Sequence, residues 1–287
     1  MNLIQETKFI MDKYNIKANK SLGQNFLIDE DVVLGIVEKS EVSKEDLVIE
    51  IGPGLGTLTS ILLEKSGFVV AIELDKRMVE IITDRFSYYK NFEVINEDVL
   101  KVDLKNLIKE KLSEYGLKSV KVVANLPYYI TTPIIMKLLE DKLCLESITV
   151  MVQKEVALRL AEKPGGKESG AITYSINYYA DSEILINVPK MSFIPSPEVD
   201  SAVIKLNLLK EPRVKVNSEQ TLFKVIKCAF MQKRKTLLNG LYNGNILTGK
   251  DEILKMFKDL DIDEKIRGER LSLEKFAQIA DYVEKNK

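Results

Sequence analysis

Four segments of the chain end in residues that can bind a nucleoside. VIEIGPGLG carries Gly52 and Gly54, and FVVAIE ends on Glu73. FEVINED carries Asp98, and VVANLPY carries Asn125. Glycines let the backbone approach a ligand closely, and an acid about twenty residues further on can accept hydrogen bonds from both ribose hydroxyls. If these segments are neighbouring parallel strands, their carboxyl ends meet at one crevice, which is predicted to bind a nucleoside cofactor.

The sequence predicts the sheet that would position these residues. Short β-rich runs alternate with amphipathic helical stretches, which is typical of a parallel sheet covered by helices on both faces. We expect strands near 47–52, 68–73, 92–96, 119–125 and 147–153. The intervening helices are expected near 30–40, 57–66, 76–87, 105–115 and 131–142.

The pattern changes in the last third of the chain. EILINVP and VDSAVIKLNLL follow residue 180 with no helical stretch between them, which predicts an antiparallel strand pair at one end of the sheet. From about residue 211 the pattern is helical to the end. We therefore expect an α/β domain over 1–210 and a small all-helical domain over 211–287.

The chain contains no histidine among its 287 residues. This excludes Ser-His-Asp and Cys-His nucleophilic catalysis and histidine metal sites, so no metal is predicted. Carboxylate or lysine catalysis stays possible, but a cofactor is expected to carry the difficult chemistry. We find neither an apolar run of the ~18 residues needed to span a bilayer nor the apolar core of a signal peptide. The two cysteines, Cys144 and Cys228, lie far apart with no partner pattern, which fits a reducing cytosol.

The spacing of the glycines narrows the class of cofactor. Dinucleotide-binding folds use G-x-G-x-x-G, whereas this chain has G-x-G-x-G with Pro53 inside it. The pattern resembles the first motif of S-adenosylmethionine-dependent methyltransferases. Asp98, just past the third strand, would then accept a hydrogen bond from the adenine amine of the cofactor.

The residues that follow the fourth strand suit the alkylation of an amine. Asn125-Leu126-Pro127-Tyr128 resembles the (N/D/S)-x-P-(Y/F/W) motif of methyltransferases that act on planar amino groups. The Asn125 side-chain oxygen and the Leu126 carbonyl can each accept one N–H bond and so align the amine. Pro127 stiffens this turn, and the ring of Tyr128 can stack on a base.

Two further segments complete a resemblance that covers essentially the whole chain. KANKSLGQNFLID spans 17–29 and FIPSPEVDSAVIKL spans 193–206. With EIGPGLGTLT and NLPYYI, they resemble the KsgA-type small-subunit rRNA adenine dimethyltransferases. The resemblance implies a Rossmann-like class I methyltransferase sheet. It places the cofactor contacts on Asn25, Leu27, Gly52, Gly54, Glu73, Asp98 and Asn125.

The resemblance also implies the reaction and the substrate. The family transfers methyl groups from S-adenosylmethionine to N6 of two adjacent adenosines near the 3′ end of small-subunit rRNA, which contributes to biogenesis of the subunit. The target adenine would lie between Tyr128 and Phe193. The partner would be this rRNA within the small subunit or its precursor, bound by a monomer.

A basic segment is the predicted contact to RNA phosphates. Residues 213–250 contain eight lysines and arginines and one acid, although the whole chain has a net charge of −1. Lys233, Arg234 and Lys235 are consecutive, and they lie near a predicted helix end. A basic run often only faces solvent, but this one opens the C-terminal helical domain beside the predicted crevice, which favours contact with RNA phosphates.

Three other interpretations stay open at this point. A large-subunit rRNA adenine methyltransferase of the antibiotic-resistance type has a related sequence, although NLPYYI, GQNFLID and the long C-terminal region resemble it less. A non-catalytic RNA-binding assembly factor could have the same fold, although Asn125, Tyr128 and Glu73 are intact. An NAD-dependent oxidoreductase is disfavoured by the glycine spacing.

Overall fold

The computed structural model describes residues 2–19, 22–232 and 235–286. The chain forms two compact units. The first comprises the chain up to Ala157 together with Glu183–Leu208, and the second comprises Leu158–Ser182 together with the chain from Leu209 onward. The predicted boundary at residue 210 therefore differs from this division at residues 158–182, which group with the C-terminal helices.

The first unit contains a mostly parallel sheet and its covering helices. Its strands are β1 (Phe26–Leu27), β2 (Asp46–Ile51), β3 (Phe68–Glu73), β4 (Phe92–Asn96), β5 (Ser119–Asn125), β6 (Ser147–Gln153), β7 (Ala180–Val188, which begins in the second unit), β8 (Phe193–Ile194) and β9 (Ser201–Leu208). Its helices are α1 (Leu3–Lys13), α2 (Glu30–Lys39), α3 (Thr57–Lys65), α4 (Lys76–Arg85), α5 (Leu104–Tyr115), α6 (Thr131–Glu140) and the start of α7 (Lys154–Ala161).

The main sheet has seven strands in the order β4-β3-β2-β5-β6-β9-β7. Strands β2 to β6 pair in parallel, and β9 runs antiparallel to β6. Every residue of β2 and β3 is buried, as expected for strands covered on both faces. The predicted fold class is confirmed, including the change of strand direction at one end. The chain reverses its direction of winding between β2 and β5, where ligands bind in such sheets.

A separate two-stranded sheet joins the N-terminal segment to the segment before β9. Strand β1 pairs antiparallel with β8, so that Phe26 lies opposite Ile194 and Leu27 lies opposite Phe193. The Ile28 amide extends this ladder by donating to the Ser192 carbonyl at 2.9 Å. The side chain of Ser192 also donates to Asp29, the residue that caps α2, at 2.8 Å. The first strand of the chain is therefore held by residues far along the sequence.

The second unit is helical. It contains the end of α7 with α8 (Ala171–Tyr179), α9 (Glu219–Phe230), α10 (Leu237–Asn243), α11 (Lys250–Asp259) and α12 (Leu273–Lys285). Tyr174 and Tyr178 of α8 are buried in the hydrophobic core of these helices, with Phe257 and Phe276. This burial explains why residues 158–182 group with the C-terminal helices. Among the described residues, no helix combines the length and apolarity needed to cross a membrane.

Candidate active site

A cavity lies at the carboxyl ends of β2, β3 and β5. Its walls come from the N-terminal segment, the glycine turn after β2, the end of β3 and the turn after β5. The lining residues are Leu22, Gly23, Gln24, Asn25, Phe26, Leu27, Glu50, Gly52, Pro53, Gly54, Leu55, Thr57, Leu58, Glu73, Leu74, Asn125, Leu126, Pro127, Tyr128 and Tyr129. The structure thus brings together the predicted residues of three strands, together with Asn25 and Leu27.

The glycine turn has a backbone conformation that other residues rarely adopt. Gly52 has a φ of +67° and Gly56, immediately before α3, has a φ of +84°. A Cβ atom at position 56 would lie 2.5 Å from the ring of Phe86, so a side chain cannot be accommodated there without movement. Glycine is therefore required both by the left-handed conformation and by the close packing of α3.

Glu73 is held in a fixed orientation at the end of β3. Its side chain accepts a hydrogen bond from the Asp75 amide at 2.8 Å and another from the Gly54 amide at 3.3 Å. The residue is only 8% exposed. Burial raises the pKa of Glu73 above its usual range, although the two backbone donors oppose this shift. Each carboxylate oxygen has a second lone pair, so Glu73 can still accept bonds from ribose hydroxyls.

Glu50 is a second buried acid in the cavity that the sequence analysis did not identify. It lies within the apolar strand β2, is 1% exposed and accepts a hydrogen bond from the Thr59 hydroxyl at 2.6 Å. Burial, assisted by the charge of Glu73, raises the pKa of Glu50 to about 8. An acid inside the apolar run of a buried strand is unusual, and this signal was available in the sequence DLVIEI, in which the other acid, Asp46, begins the strand.

Another buried ionisable group in the same sheet shows how uncommon the environment of Glu50 is. The ammonium group of Lys121 on β5 is also buried, but it lies 3.1 Å from the carboxylate of Asp46 and donates to the Glu41 carbonyl at 2.6 Å. Glu50, in contrast, has a hydroxyl partner and a neighbouring acid. A buried carboxyl in this setting is suited to interact with a cationic ligand.

Asn125 ends β5 and reaches across the cavity to the N-terminal segment. Its Nδ2 donates a hydrogen bond to the Asn25 carbonyl at 3.3 Å. This bond assigns the amide orientation and leaves Oδ1 as the acceptor. Leu126 continues the parallel ladder, since its amide donates to the Met151 carbonyl at 3.1 Å. The start of the Asn-Leu-Pro-Tyr turn is therefore tied to the rigid sheet.

Two tyrosines follow in the same turn and differ in their surroundings. Tyr128 is half-buried, and its hydroxyl lies 2.7 Å from that of Ser201 on β9. Burial raises the pKa of Tyr128 above its usual value, so the phenol is neutral in the ordinary pH range. Tyr129 also lines the cavity and is 58% exposed. Tyr129 was not predicted as a site residue, although its position beside Tyr128 places it at the same strand end.

Phe193 does not line the cavity. It is 3% exposed, pairs with Leu27 through β1 and β8, and packs in the hydrophobic core of the first unit with Val33 and Val188. The prediction that Tyr128 and Phe193 form the two sides of one slot is therefore not reproduced in this structure. The physical reason is the β1–β8 pairing, which turns the Phe193 side chain into the core.

Asp98 also lies outside the cavity lining. Its side chain accepts a hydrogen bond from the Leu100 amide at 3.0 Å and so forms part of the turn after β4. It is the side chain of the neighbouring Asn96 that contacts the end of β3, since its Nδ2 donates to the Glu73 carbonyl at 2.9 Å. The structure therefore supports a turn-forming role for Asp98, and the predicted contact to a cofactor amine stays a prediction.

The predicted RNA-binding run is only partly described. Lys233 and Arg234 lie outside the described residues. Lys235 is exposed, and its amide donates to the Gln232 carbonyl at 2.9 Å. Exposure is necessary for contact with RNA phosphates, and the contact itself stays a prediction.

The chemistry of the cavity fits S-adenosylmethionine better than a dinucleotide. Two acids line it, Glu50 and Glu73, and no lysine or arginine is found among the lining residues that the structure describes. S-adenosylmethionine has a sulfonium and an ammonium group, and a cation near the buried acids favours their ionised form, whereas a pyrophosphate would find no cationic side chain among these residues. Glu73 would hold the ribose and Glu50 would face the cationic part, while the turn at Gly52 and Gly54 allows close approach.

Comparison with known proteins agrees with this assignment. The family model described as ribosomal RNA adenine dimethylase matches residues 15–285. A curated protein from Alkaliphilus metalliredigens, named ribosomal RNA small subunit methyltransferase A, is 47% identical over 97% of this chain and 96% of its own length. A protein of the same name from Lachnoclostridium phytofermentans is 48% identical over 98% of this chain and 96% of its own length.

A solved structure shows the same fold. The dimethyladenosine transferase from Plasmodium falciparum superposes with a TM-score of 0.73 at 26% identity, covering 88% of this chain and 95% of the other. Methyltransferases of this family use S-adenosylmethionine, in agreement with the acids and glycines of the cavity. The family model and the curated relatives extend over nearly the whole sequence, and the chain belongs to the ribosomal RNA adenine dimethylase family.

Proposed function

We propose that this protein dimethylates N6 of two adjacent adenosines near the 3′ end of small-subunit rRNA. The observation that carries the proposal is the position of Asn125, which lies at the end of β5 in the same cavity as Glu73 and Glu50. Relatives at 47–48% identity are named as small-subunit methyltransferases, which favours this substrate over the large subunit.

The turn after β5 presents acceptors for the target amine. Bound S-adenosylmethionine supplies a methyl group that is already activated, so the protein has to align and desolvate the amine. Asn125 Oδ1 and the Leu126 carbonyl each accept a hydrogen bond from one N6–H group of the target adenine. Pro127, with φ −60° and ψ 131°, fixes the backbone between Leu126 and Tyr128. No histidine is needed, because the amine can release its proton to surrounding water once the methyl group has been transferred.

The aromatic residues provide a surface for the base. A target adenine that leaves its stack in RNA recovers about 1–3 kcal/mol by stacking on an aromatic ring. The Tyr128 ring is suited to this, since its hydroxyl is anchored to Ser201. The buried Phe193 contributes to this surface only if the β1–β8 pairing rearranges when RNA binds.

The enzyme would act on rRNA within the small ribosomal subunit or its precursor, as a monomer in the cytoplasm. Lys233, Arg234 and Lys235 of the second unit would contact RNA phosphates. These contacts position the substrate and carry no sequence information by themselves. Selection of the two adenosines would then depend on the shape of the RNA around them.

The test is methyl transfer from tritiated S-adenosylmethionine to purified ribosomal subunits. Small and large subunits that lack adenine dimethylation are compared as acceptors, and digested RNA is separated into nucleosides. We expect N6,N6-dimethyladenosine in small-subunit rRNA alone. Label in large-subunit rRNA would support the antibiotic-resistance type of enzyme, and the absence of label in both would support a binding-only factor.

A further inference from the structure

The N-terminal segment Gly23–Leu27 crosses the carboxyl ends of three adjacent strands, and we call it the crossing segment. A Cβ atom on Gly23 would lie 3.7 Å from Pro127, which follows β5. The ring of Phe26 lies 3.5 Å from the corresponding position on Gly54, which follows β2. Gln24 reaches the end of β3, through a hydrogen bond to Asp75. The crossing segment therefore contacts both the cofactor residues and the turn that holds the target amine.

Both polar atoms of the Gln24 side-chain amide form hydrogen bonds. Its Oε1 accepts from the Asn19 amide at 2.8 Å, and its Nε2 donates to Asp75 Oδ2 at 2.9 Å. Asp75 is 9% exposed and also pairs with Arg77 at 2.6 Å. The backbone amide of Asp75 is the 2.8 Å donor to Glu73. Gln24 is therefore connected through one intermediate residue, Asp75, to Glu73, the acid that would hold the cofactor ribose.

The other side of the crossing segment holds Asn125. The Asn25 carbonyl accepts the hydrogen bond from Asn125 Nδ2, and it is the partner that leaves Oδ1 of Asn125 available as an acceptor. Because Gln24 and Asn25 are adjacent, a displacement of the Gln24 backbone also displaces this carbonyl. The orientation of the Asn125 amide therefore depends on the anchoring of Gln24.

We propose that Gln24 is a positioning residue that couples the cofactor site to the alignment of the target amine, through Asp75 on one side and the Asn25 carbonyl on the other. The inference rests on the proposed function, because the second half of the coupling requires Asn125 to bind the amine. Loss of the Gln24–Asp75 bond should weaken cofactor binding and, separately, slow transfer in the enzyme that is saturated with cofactor.

The test variant is Gln24→Glu, which keeps the shape of the side chain and the acceptor for Asn19. It replaces the donor facing Asp75 with a second acceptor that is ionised near neutral pH. Gln5→Glu is the matched control, because it makes the same chemical change on the exposed face of α1 and preserves the capping arrangement there. The double variant Gln24→Glu with Asp75→Asn exchanges donor and acceptor between the two positions, and it is compared with Asp75→Asn alone because Asp75 also accepts from Arg77.

Two readouts are measured for each variant. Calorimetry gives the affinity for S-adenosylhomocysteine, and single-turnover transfer at saturating S-adenosylmethionine gives the rate on small subunits. We expect Gln24→Glu to weaken binding about tenfold, the scale of one hydrogen bond to a charged group, and also to lower the saturated rate. Gln24→Glu should cause much smaller losses in the Asp75→Asn background than in the wild type, while Gln5→Glu matches the wild type.

The outcomes separate the inference from the proposed function. Wild-type affinity and rate in a folded Gln24→Glu variant would overturn the coupling. A loss on adding Gln24→Glu to Asp75→Asn that is as large as in the wild-type background would also overturn it, since Gln24 would then act independently of Asp75. If the wild type binds S-adenosylhomocysteine but methylates no rRNA, the proposed function fails, while the effect of Gln24 on binding is still measurable.

Discussion

The two halves of the cavity are constructed differently. The cofactor half, made of Glu50, Gly52–Gly54 and Glu73, is buried, and its acids already accept hydrogen bonds from Thr59, Gly54 and Asp75. The target half, made of Asn125–Tyr129, is partly open and includes the exposed ring of Tyr129. A small cofactor that is identical in every cycle can be met by a preformed site, whereas an adenine within RNA needs an accessible one.

The difference also concerns what holds each half in place. Strand pairing between β2 and β3 fixes the cofactor half directly, since Gly52 donates to the Ile72 carbonyl at 2.9 Å. The target half continues the strand ladder only as far as Leu126, and its side chains depend on contacts with distant segments, such as Asn125 with Asn25 and Tyr128 with Ser201. We therefore expect substitutions in the cofactor half to change cofactor affinity, and those in the target half to change transfer.

The largest expected effect is on stability, from Phe193→Ala. Phe193 is buried in the core, so its truncation leaves a cavity and should lower the free energy of unfolding by about 3–5 kcal/mol. Tyr129→Ala is the control, since it removes an exposed ring and should cost little stability. Denaturant titration of both variants makes the comparison. A cost below about 1 kcal/mol for Phe193→Ala would show that its ring is an open platform for the base.

The next effect is on cofactor affinity, from Glu73→Ala. Loss of a carboxylate that accepts ribose hydroxyl bonds should weaken binding of S-adenosylhomocysteine by about 1.5–3 kcal/mol. Calorimetry measures this directly, with Glu80→Ala as the control for loss of an exposed acid on α4. Unchanged affinity in a folded Glu73→Ala protein would remove Glu73 from the cofactor half.

A third effect concerns the pH dependence of stability in the cofactor half. Because burial raises the pKa of Glu50 from 4.5 to about 8, the folded state binds its proton more tightly than the unfolded state does. The contribution of Glu50 to stability is complete below pH 4.5 and is lost as the pH rises through about 8.

Glu50→Gln removes this titration. In the absence of cofactor, it should raise the melting temperature at pH 9 by more than about 4 °C, because a pKa shift from 4.5 to about 8 corresponds to several kcal/mol and each kcal/mol is worth about 2–4 °C in a chain of this size. The melting temperatures of the wild type and the variant should converge as the pH falls toward 5. A constant difference at every pH would mean that Glu50 does not change its protonation on unfolding.

The smallest effect is expected in the second unit, outside both halves. Replacing Lys233, Arg234 and Lys235 with alanine should flatten the plot of log affinity for RNA against log salt by about 0.7–0.9 per lost phosphate contact. Affinity for S-adenosylhomocysteine should stay at the wild-type value. Filter binding at several salt concentrations gives the slope, and an unaltered slope would mean that this run faces solvent.

The strands and the site residues at their carboxyl ends could be predicted from the periodicity of the sequence. The five parallel strands were predicted within a residue or so, and the carboxyl ends of β2, β3 and β5 brought Gly52, Glu73 and Asn125 together as expected. Residues 158–182 were misassigned because their buried partners, such as those around Tyr174, come from helices far along the chain. Local pattern does not encode such partners.

The same limit explains the site residues that were missed or misplaced. Phe193 is buried by pairing with Leu27, a contact across more than 160 positions, and no periodicity in either segment predicts it. The Gln24–Asp75 bond is also long-range. Glu50 is different, because an acid inside an apolar run is visible in the sequence. Its side chain is buried with strand β2 and lines the cavity.

The most direct test of the central claim, that Asn125 aligns the target amine beside the cofactor, is single-turnover transfer by Asn125→Ala. With cofactor saturating, the first and second methylations of small-subunit rRNA are quantified separately. We expect the rate of the first transfer to fall about 100-fold, comparable to loss of one preorganised polar group in other enzymes. Asn125→Asp, which keeps the acceptor oxygen, should retain more activity. Transfer by Asn125→Ala at the wild-type rate would contradict the claim.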